Sequence, residues 1–238
     1  TLTDNGSGGN NGTMTNMVSG DIVADVPPTF NKYSLSFDGV DDNVKLNSNT
    51  QNFTDFSLSF WCIKGTGNYK SIVGANASSE GGVLKAIVLA GGTVRYSDSS
   101  TSWTSLTGAL SSTSWNHVLI TYDSSSNTLK GYQDGSLTAT INPDFSSANT
   151  NAHSIRYIGA RYNTGFFNDF LDEVAMWDSV INVGDVWDGS GSATDLASTN
   201  PIHWWRFEEG SGTTVNDSGS GNIDGVIING ATYSTDKP

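Results

Sequence analysis

The sequence predicts an all-β protein built as an antiparallel sandwich. Three observations carry this. Apolar and polar residues alternate with a period of two along most of the chain. Clusters of Gly, Ser, Asn and Asp separate the alternating runs. Helical periodicity is nearly absent, which leaves no room for the crossover helices that parallel strands need.

The runs follow in order. Residues 33–37 alternate through Tyr33, Leu35 and Phe37. Residues 56–62 put Phe56, Leu58, Phe60 and Cys62 on one face and Ser57, Ser59 and Trp61 on the other. Residues 83–89 and 93–97 flank Ala90-Gly91-Gly92, a hairpin signal. Residues 117–122 form a strand that stops at Asp123 and the serines after it. Residues 129–133 enter an Asp134-Gly135 turn and leave along 137–141. Residues 154–159 and 170–177 give two more strands. One short helix is expected next, because Val180, Val183, Val186 and Trp187 are spaced for one face.

Charge narrows the partners. Among 238 residues, 11 are basic and 24 acidic, a net charge of −13. Such a surface repels phosphate backbones, so no nucleic acid partner is expected. It is equally poor for anionic membranes. It suits divalent cations and neutral partners such as sugars. No apolar run approaches the roughly 20 residues that span a bilayer, and no basic segment followed by an apolar one marks a leader. Membrane insertion is not expected. The chain opens on Thr1, as a processed product or a fragment would. Cys62 stands alone, so no intrachain disulfide forms. Its place in the alternation makes it a small buried hydrophobe.

The termini carry a repeat. Residues 4–12, opening Asp4-Asn5-Gly6-Ser7-Gly8, match residues 217–225, opening Asp217-Ser218-Gly219-Ser220-Gly221, without a gap. Asn16 later falls opposite Asn229. The second copy is preceded by His203-Trp204-Trp205-Arg206-Phe207-Glu208-Glu209-Gly210, which the first lacks.

Four pieces together resemble a laminin-G-like module of the concanavalin A-like jelly-roll superfamily. They are the Trp205-to-Gly225 strand and loop, Leu35 to Asp42, Trp115 to Gly135, and Ile158-Gly159-Ala160-Arg161 followed by Leu171-Asp172-Glu173-Val174. Residues 11–28 also resemble modules of marine tailed-phage structural proteins. The resemblance implies two stacked antiparallel sheets, a jelly-roll sandwich. It also implies a binding or adhesion module of extracellular and surface proteins. The order departs from the family, which opens on the Trp-Phe-Glu strand that here comes last. The expected organisation is therefore circularly offset. Residues 1–200 form a module lacking its first strand, and residues 201–238 complete it, in the same chain or in a neighbouring copy.

Catalysis is not expected. Jelly-roll hydrolases set carboxylates on alternate positions of one strand, as Glu-x-Asp-x-x-Glu, so that they share a face and approach each other. Nothing here matches that pattern. Asp172 and Glu173 are adjacent, which places them on opposite faces. No nucleophile elbow, zinc-binding His-Glu-x-x-His or P-loop occurs. His117, His153 and His203 are dispersed.

Calcium is the expected cofactor, held by Asp38, Asp41, Asp172 and Asp217, which offer the hard oxygens it takes. The resemblance also implies calcium at the sandwich rim. The competing role for each aspartate is capping a turn. Sugar binding would use aromatic residues outside the core alternation: Trp103, Tyr162, Trp61 and Phe166. Rim packing, or a place on a covered sheet face, is the competing role for each. The function expected is non-catalytic recognition of glycans or surface proteins outside the cell, or on a cell or virion surface. A second reading is a structural decoration or filament subunit, joined to copies of itself by terminal strand exchange. A jelly-roll glycoside hydrolase is the remaining alternative.

Overall fold

The structure, a computed structural model, describes residues 30–67, 69–75, 86–96, 103–143, 153–162 and 164–238. The repeat at 4–12, the phage-like stretch at 11–28 and the start of the 83–89 strand lie outside them. Residues Asn31–Pro238 make one compact unit.

The strands are β1 (Ser34–Asp38), β2 (Asn43–Leu46), β3 (Phe56–Cys62), β4 (Lys70–Gly74), β5 (Ala86–Ala90), β6 (Thr93–Tyr96), β7 (Thr104–Ser105) and β8 (Asn116–Asp123). There follow β9 (Thr128–Gln133), β10 (Ser136–Ile141), β11 (Tyr157–Ile158), β12 (Asn168–Trp177), β13 (His203–Trp205), β14 (Thr214–Val215), β15 (Gly225–Ile228) and β16 (Thr232–Ser234). They form two antiparallel eight-stranded sheets. Sheet one runs β10-β9-β8-β3-β12-β1-β16, with β13 also beside β12. Sheet two runs β14-β15-β2-β11-β4-β5-β6-β7. The architecture is the jelly-roll sandwich.

The core forms as the alternation dictates. Phe56, Leu58, Phe60 and Cys62 of β3 meet Val118 and Ile120 of β8 and Ile72, Ile87 and Leu89 of sheet two in one apolar cluster. Burying each such side chain contributes about 1.5–3 kcal/mol. The opposite face of β3 is buried too. Ser57 Oγ donates to Ser179 O at 2.7 Å and accepts from Ile181 N at 3.0 Å. Trp61 packs on Trp187 at 5.3 Å, and His117 stacks on the same indole at 5.5 Å. The segment 178–200 thus covers the outer face of sheet one.

That segment is not the expected helix. It holds only two 3-10 turns, Val183–Asp185 and Ala197–Thr199. Trp187 and Val186 are anchored by packing on the sheet instead. Gly135 makes room for Trp187: its φ is +76, and a Cβ there would lie 2.4 Å from the indole.

The C-terminal segment pairs within its own chain. One edge of β12 carries β1 from Asn168 to Leu171 and then β13 from Val174 to Met176. Trp205 and Phe207 are fully buried in the core. Residues 225–228 add β15 to the edge of β2, and residues 232–234 add β16 to β1.

Candidate functional site

A cleft of about 350 Å³ opens on sheet two, lined by Tyr69, Ser71, Val88, Trp103, Arg161, Thr164 and Gly165. The sheet builds it from three separate stretches. Ser71 of β4 lies directly across from Val88 of β5, and facing residues share one side of a sheet. Val88 and Ala90 make a small apolar patch away from the main core, and half-buried Trp103 packs on it. Tyr69 stands at the entry to β4 with φ +58, and its ring is 5.5 Å from the Trp103 ring at 58°. It is 52% exposed.

The third wall is a tight turn after β11. Arg161 and Thr164 exchange backbone hydrogen bonds at 3.0 and 3.1 Å, with Tyr162 at φ +55 between them. Gly165 O then accepts from Ser71 N at 2.6 Å, clipping the turn to β4. Gly165 has φ +65, and a Cβ there would lie 2.9 Å from both Ser71 Oγ and Tyr69 O. Only glycine fits this close approach without strain.

The cleft offers two aromatic rings, one of them a phenol, two aliphatic hydroxyls and one guanidinium. Aromatic faces suit the C–H face of a pyranose, and the polar groups suit its hydroxyls. Of the expected ligand residues, Trp103 lines the cleft. Tyr162, 47% exposed, and half-buried Phe166 flank the Arg161 turn without lining it. Trp61 is on the other sheet, 3% exposed beneath Trp187, and presents no face to a ligand. Its role here is packing in the covered outer face of sheet one. Tyr69 and Arg161 were not legible as partners in the sequence, because 92 residues of numbering separate them and no periodic pattern links them.

The carboxylates fall into three places. Asp38, Asp41 and Asp42 bring one oxygen each within 4.8 Å of one another. Asp42 Oδ2 accepts from Asp38 N at 3.0 Å, and Asp38 Oδ1 from Val40 N at 2.8 Å. Burial, and next to it the charges of Asp38 and Asp41, push the Asp42 carboxyl above its usual range despite the Asp38 amide. The buried side-chain oxygen of Asn43, the next residue, has no hydrogen-bond partner.

Asp217 lies elsewhere, and its acceptors are occupied. It takes His203 Nδ1 at 2.6 Å, Trp204 N at 2.8 Å, Gly219 N at 2.9 Å and Ile223 N at 2.8 Å. Burial works to raise its pKa, but these donors together outweigh it and hold the carboxyl low. It organises the loop behind β13.

Asp172 is also apart from the Asp38 cluster, fully buried and bonded to Asn31 Nδ2 at 2.7 Å. Here strand alternation fails. The register of β12 against β3 shifts between Asp172 and Ala175, and Glu173 has φ +48. This β-bulge sends Leu171 and Val174 into the core and leaves both acids on the outer side. The expectation of opposite faces is corrected. Glu173 accepts from Trp204 Nε1 and from Arg206 Nε, the latter at 3.4 Å. Burial pushes the Asp172 carboxyl well up and Glu173 to about 8, more than Arg206 lowers it.

A family profile described as the concanavalin A-like lectin/glucanases superfamily matches residues 38–186. In fold, the chain is similar to a Bacteroides ovatus protein assigned to carbohydrate binding, at 17% identity and a TM-score of 0.60. The alignment covers 85% of this chain, which spans 59% of the length of that one. It is also similar to the heptameric SAP-like pentraxin of Limulus polyphemus, at 15% identity and a TM-score of 0.57, over 85% of this chain and 94% of the pentraxin. No protein of curated function matches in sequence.

Proposed function

Because the chain belongs to the concanavalin A-like lectin/glucanase superfamily, we propose that it is a non-catalytic carbohydrate-recognition module whose ligand rests against the aromatic surface formed by Tyr69 and Trp103. The observation that carries this is the cleft itself, where two partly exposed rings 5.5 Å apart adjoin a guanidinium and two aliphatic hydroxyls. The carbohydrate-binding assignment of the Bacteroides ovatus protein supports the same reading. The paired acids that could suggest hydrolysis are sealed: Asp172 and Glu173 lie under Asn31 and Trp204, out of reach of a glycosidic bond. In this reading the module acts in adhesion outside the cell, at a cell or virion surface. A glycan array of the wild type and Trp103→Ala tests it. Binding that the substitution abolishes is expected. No binding to any saccharide, or binding indifferent to Trp103 and Tyr69, overturns it.

The same proposal includes calcium at Asp38, Asp41 and Asp42. Their hard oxygen donors fit such an ion, and a divalent charge would offset both the burial that chiefly raises the Asp42 carboxyl and the crowding that adds to it. The ion would supply charge neutralisation and pin the β1–β2 turn. Calcium should raise the melting temperature of the wild type but not of Asp41→Asn. An unmoved wild-type melting curve, with calcium or with chelator, counts against the ion.

A further inference from the structure

Resting on the reading that the cleft takes a saccharide, we propose that its ligand is an acidic saccharide, a sugar unit whose carboxylate or sulfate pairs with the Arg161 guanidinium.

The argument starts from charge. This chain has more than twice as many acids as bases, 24 against 11. Among the described residues Arg206 pairs with Glu173, and the other lysines and arginines make no ion pair. What sets Arg161 apart is its place: half-buried in the cleft wall, it takes part in no ion pair and no side-chain hydrogen bond among the described residues. Among the described residues no carboxylate lines the cleft. Arginine stays charged at any ordinary pH, and its planar fork matches a carboxylate or sulfate through two parallel hydrogen bonds.

The surroundings fit the same ligand. Arg95 of β6 lies across from Val88 of β5, so a second guanidinium stands on the cleft's side of the sheet. It is held toward Thr93 by its Nε at 3.0 Å. Ser71 and Thr164 supply hydroxyls beside Arg161. Tyr69 and Trp103 take the apolar face of the ring. A neutral sugar would fill the aromatic part and leave the guanidinium without a counter-charge. The net charge of −13 works against dense polyanions. A saccharide with one acidic group per recognised unit escapes that repulsion while using the local positive charge.

The test is an array of matched pairs: uronic-acid oligosaccharides with their methyl esters, and sulfated oligosaccharides with their desulfated forms. Affinities are measured for the wild type, Arg161→Gln and Trp103→Ala, each with a melting curve to confirm folding. The wild type should bind the acidic member of at least one pair about tenfold or more tightly than its neutral partner, the factor of a charge-assisted hydrogen bond. Arg161→Gln should remove that preference, bringing the acidic partner's affinity down to that of the neutral one. Trp103→Ala should weaken both members. Equal binding of acidic and neutral partners through Trp103 overturns this inference and leaves the saccharide reading standing. So does an acidic preference that survives Arg161→Gln. Competition by free sulfate with no preference among saccharides also overturns it. Failure of every pair to bind removes both.

Discussion

The indole N–H of Trp204 donates to the carboxylate of Glu173, tying β13 to the bulge in β12. Arg206 adds a second donor to the same carboxylate and lies over the Trp204 ring at 4.7 Å. The closing strand is therefore fixed to the sheet by a buried acid as well as by its backbone ladder.

This acid sets an alkaline limit on stability. Glu173 titrates near 4.5 in an unfolded chain and is pushed up to about 8 when folded, mainly by burial. The folded state therefore binds this proton more tightly. Its contribution is complete below about 4.5 and is lost as pH rises toward 8. Asp172 shifts the same way. His117 and His153 act in the opposite sense: burial lowers them from 6.5 to about 3 and about 4. Their contribution is complete above 6.5 and fades as pH falls toward those values. Maximal stability is expected in mild acid, with melting temperature falling from pH 6 to pH 9. Glu173→Gln should flatten that alkaline decline. Equal slopes for variant and wild type would contradict the assignment.

Trp205 anchors the same strand in the core. It is 0% exposed, stacks on His203 at 5.2 Å and donates to Ile223 O at 2.9 Å. Trp205→Ala should cost about 3–5 kcal/mol, read by denaturant unfolding. A loss below about 1 kcal/mol would show that the strand is dispensable to the sandwich.

Asp217 holds three backbone N–H groups and His203 at once. Asp217→Ala leaves those donors buried without an acceptor. A loss of about 3–5 kcal/mol is expected, with unfolding beginning in residues 216–224 by hydrogen exchange. Protection there equal to the wild type would rule out this role.

Gly165 ties the Arg161 turn to β4 at a φ that favours glycine. Gly165→Ala should cost about 1–3 kcal/mol and weaken saccharide binding more than Thr164→Ala does. Unchanged affinity in Gly165→Ala would mean that the turn does not shape the ligand site.

The sequence by itself determined the two sheets and their core. Alternation in 56–62 fixes which side chains of β3 turn inward, since successive side chains on a strand point oppositely. It also singled out the aspartates of the Asp38 turn and Trp103. Tertiary structure decided the rest. A bulge depends on how a partner strand counts against its neighbour, so the common face of Asp172 and Glu173 was invisible to a rule that counts along one strand. The covering of Trp61 depends on where segment 178–200 settles. The cleft depends on the pairing of β4 with β5 and on the clip from Gly165 to Ser71, which bring Tyr69, Trp103 and Arg161 together from three distant stretches. Local pattern sets which face a residue takes; only long-range pairing sets which residues share it.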